Sequence, residues 1–214
     1  MPFTITVAQR KGGAGKTTLC CQLTACLIAR GLAVGAVDMD DQRSFTRWAE
    51  TRKRRYGELD FDIETSNGYA VGSSVRRSRA ADIVIIDTPP SVEPGVTRAI
   101  GLADLVIAPL QLTPLDLDAS LPTAKAIGRA RVDALFVINR APPRARVADR
   151  IRSEIRRQGL PTASVELGSR AAFAESIADG LGVVESERSG KAAAEIIALT
   201  DEICRRAKTA RAAA

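Results

Sequence analysis

Lys11-Gly12-Gly13-Ala14-Gly15-Lys16-Thr17-Thr18 is the stretch that decides the fold of this chain. Residues 3–8 ahead of it are an apolar, strand-like run. Residues 16–30 behind it carry a helical pattern closed by Gly31, a residue suited to the left-handed turn after a helix. A strand, a glycine-rich turn and a helix that opens on a lysine make an anion trap. Glycines let backbone N–H groups converge on phosphate oxygens, and the helix N-terminus adds a partial positive charge. In such a loop Lys16 bridges the β- and γ-phosphates, and the Thr17 hydroxyl ligands Mg²⁺. A glycine turn with incidental lysines would leave the flanking strand and helix without a reason.

Outward from the loop, apolar runs recur at residues 33–38, 82–87, 105–109 and 134–139. Each is followed by a polar or proline-containing loop and then a helical pattern. This alternation predicts an α/β fold: a doubly wound, mostly parallel sheet with helices on both faces, of the P-loop NTPase type. Ligands bind such sheets at the carboxyl ends of the strands. The 214 residues suit one domain, expected over residues 1–206, with residues 207–214 as a frayed tail. No internal repeat, low-complexity tract or linker interrupts the pattern.

Three strand ends carry polar chemistry. Asp38-Met39-Asp40-Asp41-Gln42 would repel a triphosphate unless its carboxylates face Mg²⁺ or a water; the alternative is a helix cap by Asp41. Ile83-Val84-Ile85-Ile86-Asp87 is a Walker B arrangement, a buried strand delivering Asp87 to the metal, usually through a water. Val137-Ile138-Asn139-Arg140 ends in an amide whose donor and acceptor match an adenine edge, or simply in a strand-end turn.

The ordinary pattern G-x-x-x-x-G-K-[ST] is broken, because Arg10 stands at the first glycine position and Lys11 precedes the paired glycines. The resulting K-G-G-x-G-K-T-T string resembles the deviant Walker A loop of the ParA/MinD ATPases, and the resemblance covers nearly the whole chain. In size and in the run Asp38, Asp40, Gln42, Ser44, Trp48 it is most similar to the small, ParF-like ParA proteins of partition and positioning systems. The resemblance implies that Lys11 reaches across a dimer interface to the partner's nucleotide. It also implies that Asp38 supports the Mg²⁺ shell, Asp40 positions the attacking water, and Asn139 with Arg140 lies at the adenine. Asp41 stands where the family has proline, which frees the loop and adds a charge. The segment 109–116 also resembles a family segment near the base and the dimer face, but its residues suggest no specific chemistry.

Composition bounds the partners. The chain has 31 Lys plus Arg against 25 Asp plus Glu, a net charge of +6, which suits a polyanion or simply a soluble basic surface. With no histidine, His-based acid–base chemistry and His-ligated zinc are excluded. Cys20, Cys21 and Cys26 share one helix, away from Cys204, and read as small buried residues in a reducing compartment. No apolar run spans a membrane and no leader precedes the first strand, so the expected location is cytoplasmic and nucleoid-associated.

These readings converge on an ATP- and Mg²⁺-dependent switch with slow intrinsic hydrolysis. The resemblance implies that it dimerises on ATP, binds DNA non-specifically and answers to a ParB-type adaptor. The cargo is a plasmid, a chromosome region or a protein complex. Candidate DNA contacts are Arg146, Arg150 and Arg157 on an amphipathic helix over residues 144–158, then Arg170, Arg205 and Arg206, with the cluster Arg52-Lys53-Arg54-Arg55 as a further possibility. A MinD-like membrane protein is disfavoured, since the C-terminal segment offers no Leu, Phe or Trp to insert. The rivals from another class are a metabolic P-loop enzyme, ligase-like or a cluster-carrying reductase, and a scaffold that binds ATP without hydrolysing it.

Overall fold

The computed structural model describes residues 1–142 and 146–213. Six strands form one parallel sheet in the order β3-β2-β4-β1-β5-β6, with β1 (Phe3–Val7), β2 (Val34–Asp38), β3 (Asp62–Thr65), β4 (Ile83–Asp87), β5 (Leu105–Leu110) and β6 (Asp133–Ile138). The five apolar runs fall on strands to within a residue or so at each end. The sequence reading passed over β3, an edge strand whose residues stay partly exposed and so lack an apolar run.

Strand alternation explains the two helical layers. Phe3, Ile5, Val7, Ile83, Ile85, Leu105, Ile107, Leu135 and Val137 face one core. Against it pack α1 (Lys16–Ile28), α2 (Ser44–Tyr56), α7 (Ala171–Ala178), α8 (Val183–Ser186) and α9 (Lys191–Ala213). Val106, Ala108, Ala134 and Phe136, and separately Val84 and Ile86, face the other side. That side is covered by α3 (Val71–Arg77), α4 (Pro94–Gly101), α5 (Pro114–Ala130) and α6 (Arg146–Arg157). The sheet is therefore doubly wound.

Residues 207–213, expected to fray, continue α9 instead, and Ala207 is buried in the core. The cause lies upstream: Ala192, Ala193, Ile196, Leu199 and Ile203 recur every three or four residues and seat the helix along α1 and α8. Its small side chains, weak as a strand or membrane signal, let the backbones approach closely.

Candidate functional site

The strand order gathers the site. β1 lies between β4 and β5, and the register sets Val7 beside Asp87 and Asp87 beside Asp38. The phosphate loop thus rises from the middle strand with a carboxylate strand end on one side, at the carboxyl edge where such sheets bind ligands.

Within the loop, Gly13 and Gly15 take left-handed φ values of 71° and 98°. Gly15 is also the N-cap of α1, and no side chain caps that helix. Its first N–H groups therefore face the loop as a ready anion site. A Cβ at Gly15 would stand 2.3 Å from Asn139 Nδ2. Gly15→Ala combines that clash with an unfavourable φ, and the expected result is at least a tenfold loss of nucleotide affinity with a fall of roughly 1–3 kcal/mol in stability. Fluorescent-nucleotide titration and thermal melts check both. Gly12 and Gly13 are exposed, while Ala14 is buried and fixes the loop's inner wall.

Lys16 is only 6 % exposed, and burial lowers its pKa against the opposing charges of Asp87 and Asp40. The Thr17 hydroxyl donates to Asp87 Oδ2 at 2.6 Å, and Thr18 follows in the first turn of α1. Asp87 Oδ1 is buried with no hydrogen-bond partner among the described residues. Burial raises the Asp87 pKa to about 7; the Thr17 hydrogen bond and Lys16 oppose that shift, and Asp38 and Asp40 add to it. A hydroxyl, an orphaned carboxylate oxygen and a lysine form a hard-oxygen, charge-balanced pocket that fits magnesium. That ion takes one or two protein carboxylates and completes its shell with water and phosphate oxygens. Among the described residues, no group of three or more His, Cys, Asp or Glu would hold a metal unaided.

Asp38 is buried and occupied. Its Oδ1 accepts from Asp40 N at 3.1 Å, and its Oδ2 accepts from Thr46 N at 2.9 Å and from the Thr46 hydroxyl at 2.8 Å. It fixes the first turn of α2 from the end of β2. Asp41 does not cap that helix: the N-cap is Arg43, at φ 51°. Asp40 Oδ1 accepts from Gln42 N at 2.9 Å in a local turn, and its charge acts on Lys16.

Asn139, expected at an adenine, is buried and spends its amide on the chain. Nδ2 donates to Ala14 O at 2.8 Å and Oδ1 accepts from Arg140 N at 3.0 Å. It braces the phosphate loop, and one amide N–H and one lone pair of Oδ1 are not used by these two bonds. Arg140 is exposed, with a left-handed backbone at φ 52°.

Lys11 does not point into empty space. Its ammonium lies 2.8 Å from Asp116 Oδ2 on the first turn of α5. Gln111 Nε2 donates to Gly13 O, and Gln9 Nε2 to Pro109 O. The segment 109–116, for which the sequence suggested no chemistry, is bonded to the phosphate loop at two points and to Gln9 just ahead of it at a third. Nothing in its local pattern announces this, because each bond joins residues about a hundred positions apart.

A family model described as VirC1 protein matches residues 3–210. This chain belongs to the VirC1 family of ParA/MinD-type ATPases. It is 31 % identical over 206 residues to the maintenance of carboxysome distribution protein A of Halothiobacillus neapolitanus, covering 91 % of this chain and 93 % of that one. The cell division ATPase MinD of Pyrococcus furiosus superposes with a TM-score of 0.75 at 18 % identity, covering 96 % of this VirC1-family chain and 99 % of MinD. Cobyrinic acid a,c-diamide synthase of Mycobacterium smegmatis, solved with an ATP analogue and magnesium, gives 0.79 at 19 %, covering 98 % and 97 %. The fold is thus shared by positioning ATPases and a metabolic enzyme, and sequence kinship separates them.

The candidate DNA contacts divide. Arg157 pairs with Glu154, Arg170 with Glu195 and Arg206 with Asp133 at 2.7 Å. Arg150 and Arg205 are exposed and make no ion pair among the described residues. The Arg146 side chain and the helix start at Arg144 lie outside the described residues. Arg52 leaves the group altogether, being 1 % exposed, whereas Lys53, Arg54 and Arg55 face solvent. No described helix is long and apolar enough to cross a membrane, and the apolar stripe of α9 is already covered by α1 and α8.

Proposed function

We propose that this chain is an ATP-driven positioning switch: ATP and Mg²⁺ close two copies face to face, the pair binds DNA without reading sequence, and a partner protein stimulates hydrolysis to release it. The observation that carries this reading is the two-lysine loop, with Lys16 buried beside Asp87 and Lys11 at the surface of the same turn. Magnesium arriving with the nucleotide would offset phosphate charge between Thr17 and Asp87. Hydrolysis by phosphoryl transfer asks little covalent chemistry of the protein, only positioning and charge neutralisation. Lys16 and Lys11 supply positive charge, the α1 N-terminus supplies N–H donors, and Asp40 orients a water. With no histidine and one half-buried carboxylate for that task, intrinsic turnover is slow, as suits a timer.

Kinship with a carboxysome distribution protein over nine-tenths of both chains favours a large protein assembly as the cargo over a plasmid. The cobyrinic acid synthase likeness keeps a metabolic reading in view, but at 19 % identity it speaks for the fold alone.

Asp40→Ala is the discriminating variant. Hydrolysis should fall by roughly 10²-fold or more, while an ATP-dependent dimer persists on DNA. DNA affinity of that dimer should drop steeply as salt is raised, through the free cations Arg150 and Arg205. Gel filtration with ATP and a salt series by fluorescence anisotropy read the two properties. A monomer at saturating ATP would sink the sandwich reading, and no binding at low salt would remove DNA from it.

A further inference from the structure

We propose that Asp116 is a positioning residue that holds Lys11 within its own protomer until ATP brings a second copy, so that dimer closure must open this ion pair. The proposal rests on the reading of Lys11 as the residue that crosses to the partner's nucleotide.

Asp116 is built to hold and to release. Its carboxylate is 4 % exposed, and Lys11 is 38 % exposed and 2.8 Å away, so the acid is fixed and the base is the mobile member. The acid is anchored independently of the lysine. Thr113 caps α5 by accepting from Asp116 N at 3.1 Å, and the Thr113 hydroxyl donates back to the same carboxylate. The positive end of a 17-residue helix adds to that support. Loss of Lys11 therefore leaves a buried charge that is still hydrogen-bonded, and the opening is moderate in cost rather than prohibitive. Leu115, the preceding residue, is 75 % exposed on the same helix turn. An uncovered leucine beside a surface lysine is what a second copy of this chain would cover as the lysine departs.

The geometry gives Asp116 an effect on assembly distinct from any effect on nucleotide binding. Phosphates in one protomer meet Lys16, Thr17 and the α1 N-terminus, none of which touches Asp116. Two such pairs open per symmetric dimer. If each is worth on the order of fivefold, as a half-exposed ion pair is, the dimer dissociation constant changes by about 25-fold.

The experiment uses the full chain with Mg²⁺ and a non-hydrolysable ATP analogue, and follows dimer formation by analytical ultracentrifugation across protein concentration. Asp116→Asn should dimerise at about 25-fold lower concentration than the parent and remain monomeric without nucleotide. At dilutions where both are monomers, its affinity for a fluorescent ATP analogue should match the parent's; a merely structural change in the loop would move it. Asp116→Ser, which leaves the Thr113 cap in place and offers that hydroxyl an acceptor, repeats the measurement should the amide variant not fold. Lys11→Ala tests the underlying reading separately. If Lys11→Ala dimerises as the parent does, the cross-dimer role of Lys11 fails. If Lys11→Ala stays monomeric while Asp116→Asn dimerises no more readily than the parent, the holding role of Asp116 is overturned and Lys11 stands.

Discussion

Asp87→Asn is expected to lower ATP hydrolysis by roughly 10²–10³-fold and, in the same protein, to raise the melting temperature of the nucleotide-free chain above neutral pH. Both effects come from one buried carboxylate. Asp87 lies at the end of β4 with Thr17 on one oxygen and no partner on the other. Burial makes the charged form unfavourable, the Thr17 hydrogen bond and Lys16 offset this only in part, and the pKa stands at about 7, above its ordinary value near 3.8. The sign follows from linkage: between pH 4 and 7 the folded chain keeps a proton that the unfolded chain has lost, so this group's contribution to stability falls as pH rises through that window. Above pH 7 the full penalty is present. An asparagine keeps the acceptor for Thr17 and never ionises, so its advantage over the parent should be absent at pH 4, grow towards pH 7 and level off beyond. Thermal melts across pH, with chelator and without nucleotide, measure it. An equal melting temperature at pH 8 would show that Asp87 already has a counter-charge, with Lys16 sufficient for it.

The loop, five of the six strands and Asp87 were legible because their signals are local. The glycine spacing is contained in one short stretch, and the apolar run with the carboxylate that ends it in another. What escaped the sequence is made by pairs distant in the chain. Lys11 meets Asp116 across 105 residues, and Asn139 meets Ala14 across 125. The same limit governs the arginines. Arg206 reads as a free cation until Asp133 is set beside it, 73 positions away. A surplus of positive charge was visible; which cations are free to meet a phosphate backbone depends on carboxylates brought in by the fold. Ala207 misled for another reason. Alanine carries little apolar area, so its burial depends on how the helix that carries it is seated rather than on side-chain size.

Arg52 is the sharpest instance, since a run of four basic residues on a helix reads as a solvated face, and its first member is the largest fully buried side chain among the described residues. Its Nε and Nη2 donate to Asp60 at 2.8 and 2.6 Å, and Nη1 and Nη2 donate to Glu185 at 2.9 and 2.8 Å. The guanidinium lies over Tyr56 and Trp48, at 4.9 and 5.6 Å from the ring centres. Trp48 in turn donates to Leu181 O, and Glu185 accepts from Gly182 N. The helix that begins at the Asp38 switch is thus tied through Arg52 to α8 at the back of α1. Arg52→Met leaves two carboxylates without their cation. Breaking a buried pair in this way costs about 3–5 kcal/mol, and the partial exposure of Asp60, 36 %, places the expectation at the lower end. For a chain of this length that lowers the melting temperature by roughly 10 °C. Adding Asp60→Asn and Glu185→Gln to Arg52→Met removes the stranded charges and should recover most of the loss. Burial works against the charge on Asp60, yet the Arg52 hydrogen bonds outweigh it and its pKa is lowered. Its contribution is therefore present above the ordinary carboxylate pKa and vanishes as pH falls through the lowered one, so parent and Arg52→Met should converge in strong acid. An Arg52→Met protein melting within about 2 °C of the parent at pH 7 would mean that stacking and packing, not the ion pairs, hold α2 to α8.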